Sequence, residues 1–188
     1  MSRYLTALAA LAAISMPAAR ADLPDLPQGP GRVVFDDWSG PAIDVQTFLP
    51  DGVDANTPVV VVMHGTNRNA DDYRDAWIDI AQACGIVVVA PAFDRRHFPG
   101  AAGYNLGEPL EGMPDVSAFD AIEPLYLSVR EQLGLRGGGY GLFGHSAGAQ
   151  FVHSAEQHFG DSLRDILLQI EHAQGGTALP GGLEGRGD

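Results

Sequence analysis

The residues best suited to chemistry lie in the segment GYGLFGHSAGAQFV, from Gly139 to Val152. Within it, Gly144 to Gly148 fits the pattern G-x-S-x-G, in which a serine lies on a sharp turn between a strand and a helix. The pattern is informative only in that context, and the sequence predicts both a short apolar strand before it and a helix after it. We therefore predict that Ser146 is a nucleophile. A serine that merely caps the following helix is the alternative interpretation.

A second candidate segment follows the apolar run VVVVM, where His64 and Gly65 begin a loop. Serine hydrolases with this motif take a second oxyanion donor from such a loop, and a glycine lets the backbone come close to the substrate. The predicted oxyanion donors are the amides of Thr66 and Ala147. His64 is expected to order the loop rather than to act as a base. The polar residues of the loop are also compatible with ordinary helix-capping roles.

Hydrophobic patterns predict the elements that would position these residues. Two alternating stretches, 32–38 and 43–49, predict a hairpin of half-buried strands. Continuous apolar runs at 59–63 and 86–90 are typical of parallel strands that are covered on both faces. Between these runs, helical spacing predicts a crossover helix over 71–85, with Gly85 at its end.

The rest of the chain extends this alternation of strands and helices. A long helix is predicted over 117–134, with Pro124 in its first turn, and two more are predicted over 147–159 and from Ser162. The Gly-rich stretch from Gly175 is expected to be a frayed tail. A hairpin that leads into alternating strands and helices predicts one α/β domain over 22–188 with a mostly parallel sheet.

The first 21 residues have the three-part pattern of a secretory signal peptide. Arg3 precedes an apolar block, and the small-residue site Ala19-Arg20-Ala21 follows it. The block is shorter than the roughly 18 to 20 residues that span a bilayer, which argues against a membrane anchor. We therefore expect a periplasmic or secreted protein whose mature chain begins at Asp22.

Composition excludes several classes of function. All 11 basic residues are arginines, so the chain has no lysine to bind nucleotide phosphates or to form a Schiff base. The formal net charge of −13 argues against nucleic acid or an anionic membrane as a partner. Cys84 is the single cysteine, so no internal disulfide can form, and we expect it to be a small buried hydrophobic residue.

Three segments together resemble the α/β-hydrolase superfamily, and more closely secreted polyhydroxybutyrate-depolymerase-like esterases. They are MHGTNRNADDYRDAW, APAFDRRHFPGAAGYNLG and GGYGLFGHSAGAQFVH. The resemblance implies a three-layer fold with an eight-stranded, mostly parallel sheet, and a triad in the chain order Ser, Asp, His. It also implies hydrolysis of a small-molecule or polyester substrate through an acyl-enzyme, with no cofactor.

The base and the acid of such a triad are harder to find. After Gly148 the chain has 40 more residues, and its histidines are His153, His158 and His172. The first two fall on the helix that leads away from Ser146. His172 is therefore the weak candidate for the base and Asp165, or Asp161, for the acid, while a solvated histidine near a helix end is the alternative interpretation.

We therefore expect a shortened hydrolase that lacks the C-terminal strands of the family, so that the strand before Ser146 has an open edge. This edge could pair with a partner chain, and the oligomeric state is left open. A catalytically impaired relic or a non-catalytic binding domain is the alternative function. Metal-dependent hydrolysis finds no support, because His153 and His158 fall on different faces of a helix without a carboxylate cluster.

Overall fold

The structure is a computed structural model, and it describes residues 25–159. The predicted signal peptide, the helix predicted from Ser162, the Gly-rich stretch, and the candidates Asp161, Asp165 and His172 lie outside the described residues.

A mixed five-stranded sheet forms the centre of the fold, with the strand order β1-β2-β4-β3-β5. The first two strands form an antiparallel hairpin, β2 pairs antiparallel with β4, and β4, β3 and β5 run parallel to one another. The strands are β1 Gly29–Phe35, β2 Ile43–Leu49, β3 Val59–Met63, β4 Val87–Ala92 and β5 Gly141–Gly144. The predicted α/β fold, with its N-terminal hairpin and parallel core, is confirmed. The bounds of β2 and β3 match the prediction, whereas β1 begins and ends three residues earlier.

Helices cover both faces of the sheet. Their bounds are α1 Ala70–Cys84, α2 Ile122–Gln132 and α3 Ala147–Phe159. As predicted, α1 ends at Gly85, which has a left-handed φ of 65°. The helix predicted over 117–134 is in fact divided: a 3-10 turn, Ala118–Ala121, begins with a capping box between Ser117 and Asp120 and precedes α2.

The alternation of side chains along β3 divides the core into two layers. Val59, Val61 and Met63 face one side of the sheet and belong to the larger cluster, to which α2 and α3 contribute. Val60 and Val62 face the other side and join the smaller cluster with α1. Both faces of this strand are therefore buried, as its uninterrupted apolar run indicated.

Two further results concern single features of the sequence. Cys84 is exposed, so the prediction of a buried thiol is wrong, because the residue lies in the last turn of α1 beside the helix-ending Gly85. Among residues 25–159, no helix is long and apolar enough to cross a membrane.

The topology brings the chemical motifs to one edge of the sheet. The strands β4, β3 and β5 are parallel and adjacent, so their carboxyl ends lie side by side. The loop that begins at His64 follows β3, Phe93 follows β4, and His145 and Ser146 follow β5. Ligand sites of open α/β sheets occur at this edge.

Candidate active site

Ser146 lies at a strained turn between β5 and α3. Its φ is +58°, in the left-handed region that a residue with a Cβ rarely adopts, at a cost of about 1–3 kcal/mol. The side chain is exposed at the carboxyl edge of the sheet, one residue before the first turn of α3. This is the strand, turn and helix arrangement that makes G-x-S-x-G informative.

Two glycines of the motif allow the turn to be this tight. A Cβ placed on Gly144 would lie 2.2 Å from the carbonyl carbon and oxygen of Gly148. A Cβ on Gly148 would lie 2.2 Å from the carbonyl oxygen of Met63 and 2.9 Å from that of His64. All of these neighbours are backbone atoms that cannot rotate away. The first turn of α3 therefore lies so close to β5 and to the end of β3 that only glycine fits at positions 144 and 148.

The loop after β3 lies directly against Ser146. A Cβ on Gly65 would be 3.6 Å from the Cβ of Ser146 and 3.7 Å from the carbonyl oxygen of His145. The same position would be 2.7 Å from the hydroxyl oxygen of Tyr73 on α1, and that hydroxyl lies 3.1 Å from Nδ1 of His145. Tyr73 thus joins the two loops on either side of the serine, a contact that helical spacing alone does not reveal.

The two amides predicted to form an oxyanion hole belong to these same loops. Thr66 follows Gly65, and Ala147 is the first residue of α3. Within residues 25–159, neither amide donates a hydrogen bond to another residue. The amide of Ala147 is one of the donors that the first turn of every helix leaves unsatisfied. Within the described residues, both donors are thus without a protein partner.

His64 is a buried structural residue, as the sequence predicted. Its Nε2 accepts a hydrogen bond from the amide of Phe93 at 3.0 Å, so the proton is on Nδ1, which donates to the carbonyl of Gly65 at 3.1 Å. Burial lowers the pKa of His64 to about 4, so the ring is neutral at pH 7. With both nitrogens engaged, it holds the loop after β3 against the end of β4 and cannot accept a proton from a substrate.

Arg68 fixes the long segment that follows β4. Its guanidinium donates to the carbonyls of Phe93, Phe98 and Gly100 at 2.7 to 3.0 Å. It also lies 4.1 Å from the centre of the Tyr104 ring, which is a cation–π contact. Sequence reasoning missed this residue, because one arginine in a polar loop carries no signal of its partners.

The aromatic and glycine content of the segment from Phe93 to Asp115 is compatible with two roles, a substrate-facing loop or packing on the sheet. Phe98 and Tyr104 are fully buried in the larger core cluster, and the Tyr104 hydroxyl donates to the carbonyl of His64 at 2.7 Å. Phe98 and Tyr104 therefore pack on the sheet and do not face a substrate. The exposed residues of the segment include Arg95 and Arg96.

Arg95 lies at the rim of the candidate site. Its guanidinium donates to the carbonyl oxygen of Thr66 at 2.6 Å. Thr66 is the residue whose amide is a candidate oxyanion donor, so this cation is in contact with the backbone of the site. No residue pattern predicts that Arg95 lies there, because a hydrogen bond between two loops leaves no periodic signal.

The described histidines do not supply an evident base for Ser146. No hydrogen bond joins Ser146 Oγ to another side chain in the described part of the chain. His97 is 2.8 Å from Asp94, His153 lies 3.2 Å from the side-chain amide of Gln157, and His158 lies 3.8 Å from a carboxylate. The roles predicted for Ser146, Thr66, Ala147, His172 and Asp165 stay predictions.

Comparison with protein-family models gives no match, and neither does comparison with curated proteins. Solved structures do match. A poly(aspartic acid) hydrolase-1 from Sphingomonas sp. KT-1 is 38% identical, with a TM-score of 0.64, over 68% of this chain and 50% of its own. A poly(3-hydroxybutyrate) depolymerase from Bordetella parapertussis is 33% identical, with a TM-score of 0.60, over 68% of this chain and 46% of its own.

A third match extends the fold to a more distant enzyme. An S-formylglutathione hydrolase from Agrobacterium tumefaciens is 19% identical, with a TM-score of 0.51, and shows the fold alone. The chain covers between 46% and 55% of the length of these three structures. The mixed sheet, the turn at Ser146 and these similarities agree, and the chain has the α/β-hydrolase fold.

Proposed function

We propose that this protein is an exported serine hydrolase of the esterase type, which cleaves carboxylic esters through an acyl-enzyme on Ser146. The observation that carries the proposal is the left-handed φ of Ser146, which is held between glycines that admit no side chain. Such strain persists only where the surrounding structure imposes it, and it concentrates at functional sites. A serine that only caps a helix has an extended backbone instead.

In this reaction the Oγ of Ser146 attacks the carbonyl carbon of the ester while a base takes its proton. Negative charge develops on the carbonyl oxygen, and the amides of Thr66 and Ala147 stabilise it by hydrogen bonds. The intermediate collapses with loss of the alcohol, which receives the proton, and leaves an ester on Ser146. Water then attacks that ester by the same steps, releasing the acid and restoring the hydroxyl.

The proposed base is His172, with Asp165 to orient it. Both lie outside the described residues. A second candidate function is a catalytically impaired hydrolase or a binding domain. It is favoured by one observation: within residues 25–159, no histidine is hydrogen-bonded to Ser146.

The two more similar solved structures are named for polymers, poly(aspartic acid) and poly(3-hydroxybutyrate). We accordingly propose a small ester or a polyester as the substrate, with no cofactor in the reaction. The predicted signal peptide supports a periplasmic or secreted location. N-terminal sequencing of protein recovered from the periplasm or medium tests this: a chain that begins at Asp22 is expected, and an uncleaved chain retained in the cytoplasm would contradict it.

Ester kinetics separate the two candidate functions. The full chain should hydrolyse 4-nitrophenyl butyrate with saturation, and Ser146→Ala and His172→Ala should each lower kcat by a factor of about 10³ or more. His153→Ala is the matched control, because this histidine is an exposed residue of α3, and it should leave kcat within twofold. Turnover that is unaffected by Ser146→Ala would refute the nucleophile. Loss with Ser146→Ala but not with His172→Ala would refute the assigned base.

A further inference from the structure

Two exposed arginines stand beside the candidate oxyanion loop. Arg95 and Arg96 follow the end of β4, and both side chains are exposed. The guanidinium of Arg95 is anchored on the carbonyl oxygen of Thr66 at 2.6 Å. Thr66 follows Gly65 in the sequence, and a Cβ added to Gly65 would lie 3.6 Å from the Cβ of Ser146. Arg95 is therefore bonded to the loop that passes beside the proposed nucleophile.

Within residues 25–159, neither of these two cations is paired with a carboxylate, and Arg68 and Arg130 likewise bond to carbonyl oxygens. With 24 acidic and 11 basic residues, carboxylates far outnumber arginines. Arg32 and Arg74 each have an aspartate oxygen within 2.6 Å. Within residues 25–159, Arg95 instead bonds to a carbonyl oxygen, and Arg96 has no side-chain partner. Both retain donors that can bind an additional acceptor.

The nearest carboxylate in the sequence is occupied by other donors. Oδ1 of Asp94 accepts the amides of Arg96 and His97 at 2.7 and 3.0 Å, and its Oδ2 is 2.8 Å from Nδ1 of His97. Partial burial raises the pKa of Asp94, but these hydrogen bonds together outweigh it, so that the pKa lies below its usual value. Asp94 is thus held by its own turn, and within residues 25–159 it forms no ion pair with Arg95.

The position of Arg95 is also fixed in advance. Arg68 binds the carbonyls of residues 93, 98 and 100, which lie on both sides of Arg95 in the sequence. An anchored loop loses little conformational entropy when its side chain binds a ligand. A guanidinium held in this way can form the paired, charge-assisted hydrogen bonds that carboxylates accept.

We propose that the substrate of this site carries a carboxylate close to the ester carbonyl, and that Arg95, assisted by Arg96, binds this carboxylate beside Thr66. The inference rests on the proposed function, because it names the class of substrate for the same site. It makes Arg95 a determinant of specificity for anionic acyl groups over neutral ones of equal length.

The first test compares two esters with four-carbon acyl chains, 4-nitrophenyl hydrogen succinate, which is anionic at pH 7, and neutral 4-nitrophenyl butyrate. Arg95→Gln should lower kcat/KM about tenfold for the succinate and less than twofold for the butyrate, since only the succinate loses a charge-assisted contact. Arg32→Gln, on the exposed hairpin strand β1, is the matched control and should change neither value. An equal fall for both esters would show that Arg95 only supports the loop and would overturn the proposal.

The second test is independent of turnover. The Ser146→Ala chain is titrated into fluorescein-labelled pentaglutamate, with labelled pentaglutamine as the neutral probe, and binding is followed by fluorescence anisotropy. The pentaglutamate should bind more tightly, and adding Arg95→Gln should raise its Kd about tenfold. Binding that Arg95→Gln leaves unchanged, or no preference for pentaglutamate, would overturn the inference. Absence of ester hydrolysis with Arg95-dependent binding would overturn only the proposed function.

Discussion

The contact between α3 and the end of β3 predicts a large effect for a single added methyl group. In Gly148→Ala, the new Cβ would lie 2.2 Å from the carbonyl oxygen of Met63 and 2.8 Å from its carbonyl carbon. The first separation is about 1 Å shorter than ordinary contact, so the helix must move away from the strand. Overpacking of this kind costs about 3 kcal/mol, while alanine in a helix returns about 1 kcal/mol relative to glycine. The net loss of unfolding free energy is about 2 kcal/mol.

Urea unfolding followed by circular dichroism measures this loss, and thermal unfolding should show a Tm lower by about 4–8 °C for a domain of this size. Gly138→Ala is the matched control, because nothing lies within 4 Å of the added Cβ and its φ is not left-handed. The control should stay within about 0.5 kcal/mol of the parent. If Gly148→Ala unfolds at the same urea concentration as the parent, the close approach of α3 to β3 is wrong.

Three further predictions concern the residues that support the site. Arg68→Lys should lower the unfolding free energy by about 2 kcal/mol, because a lysine cannot reproduce the forked contacts to three carbonyls. The control Arg32→Lys, at an exposed ion pair, should lower it by less than about 1 kcal/mol. Equal urea midpoints for the two variants would contradict this prediction. The pKa of His64 is about 4 in the fold and 6.5 in the unfolded chain, so the unfolded chain takes up a proton first as the pH falls. The contribution of neutral His64 to the free energy of unfolding is therefore complete above pH 6.5 and is lost as the pH falls toward 4. Between pH 7 and pH 5, the unfolding free energy from urea titrations should fall by about 2 kcal/mol more in the parent than in His64→Gln. Parallel pH profiles for the two proteins would contradict the lowered pKa of His64. Gly65→Ala should destabilise the fold, because its methyl group would lie against the Tyr73 hydroxyl. In the double variant, Tyr73→Phe should restore about 1 kcal/mol of the unfolding free energy. Strictly additive changes in unfolding free energy would refute the contact.

Local rules were enough to predict the framework of the fold. The continuous valines of β3 and the alternation of β2 fixed the bounds of these strands, because a strand's period is set by the pleat. The end of α1 at Gly85 followed from the left-handed conformation that only glycine adopts without cost. The position of Ser146 beside Gly65 followed from parallel strands whose carboxyl ends meet at one edge.

The parts that the sequence did not predict depend on contacts between loops. The forked hydrogen bonds of Arg68 and the bond between Arg95 and Thr66 join residues about 30 positions apart, and nothing periodic marks them. The exposure of Cys84 was missed because average burial says little about the last turn of a helix. The 3-10 turn before α2 was missed because hydrophobic spacing does not distinguish a 3-10 turn from the first turn of an α-helix.

The central claim is that Ser146 is an activated nucleophile, and covalent labelling tests it most directly. The purified chain is treated with a fluorophosphonate, and intact mass and peptide mass spectrometry identify the modified residue. One adduct per chain is expected, on Ser146, formed at a saturable rate and absent from Ser146→Ala. The unmodified Ser146→Ala chain must show the same circular dichroism spectrum as the parent, so that loss of the adduct reflects loss of the hydroxyl. A chain that stays unlabelled, or an adduct that persists in Ser146→Ala, would contradict the account.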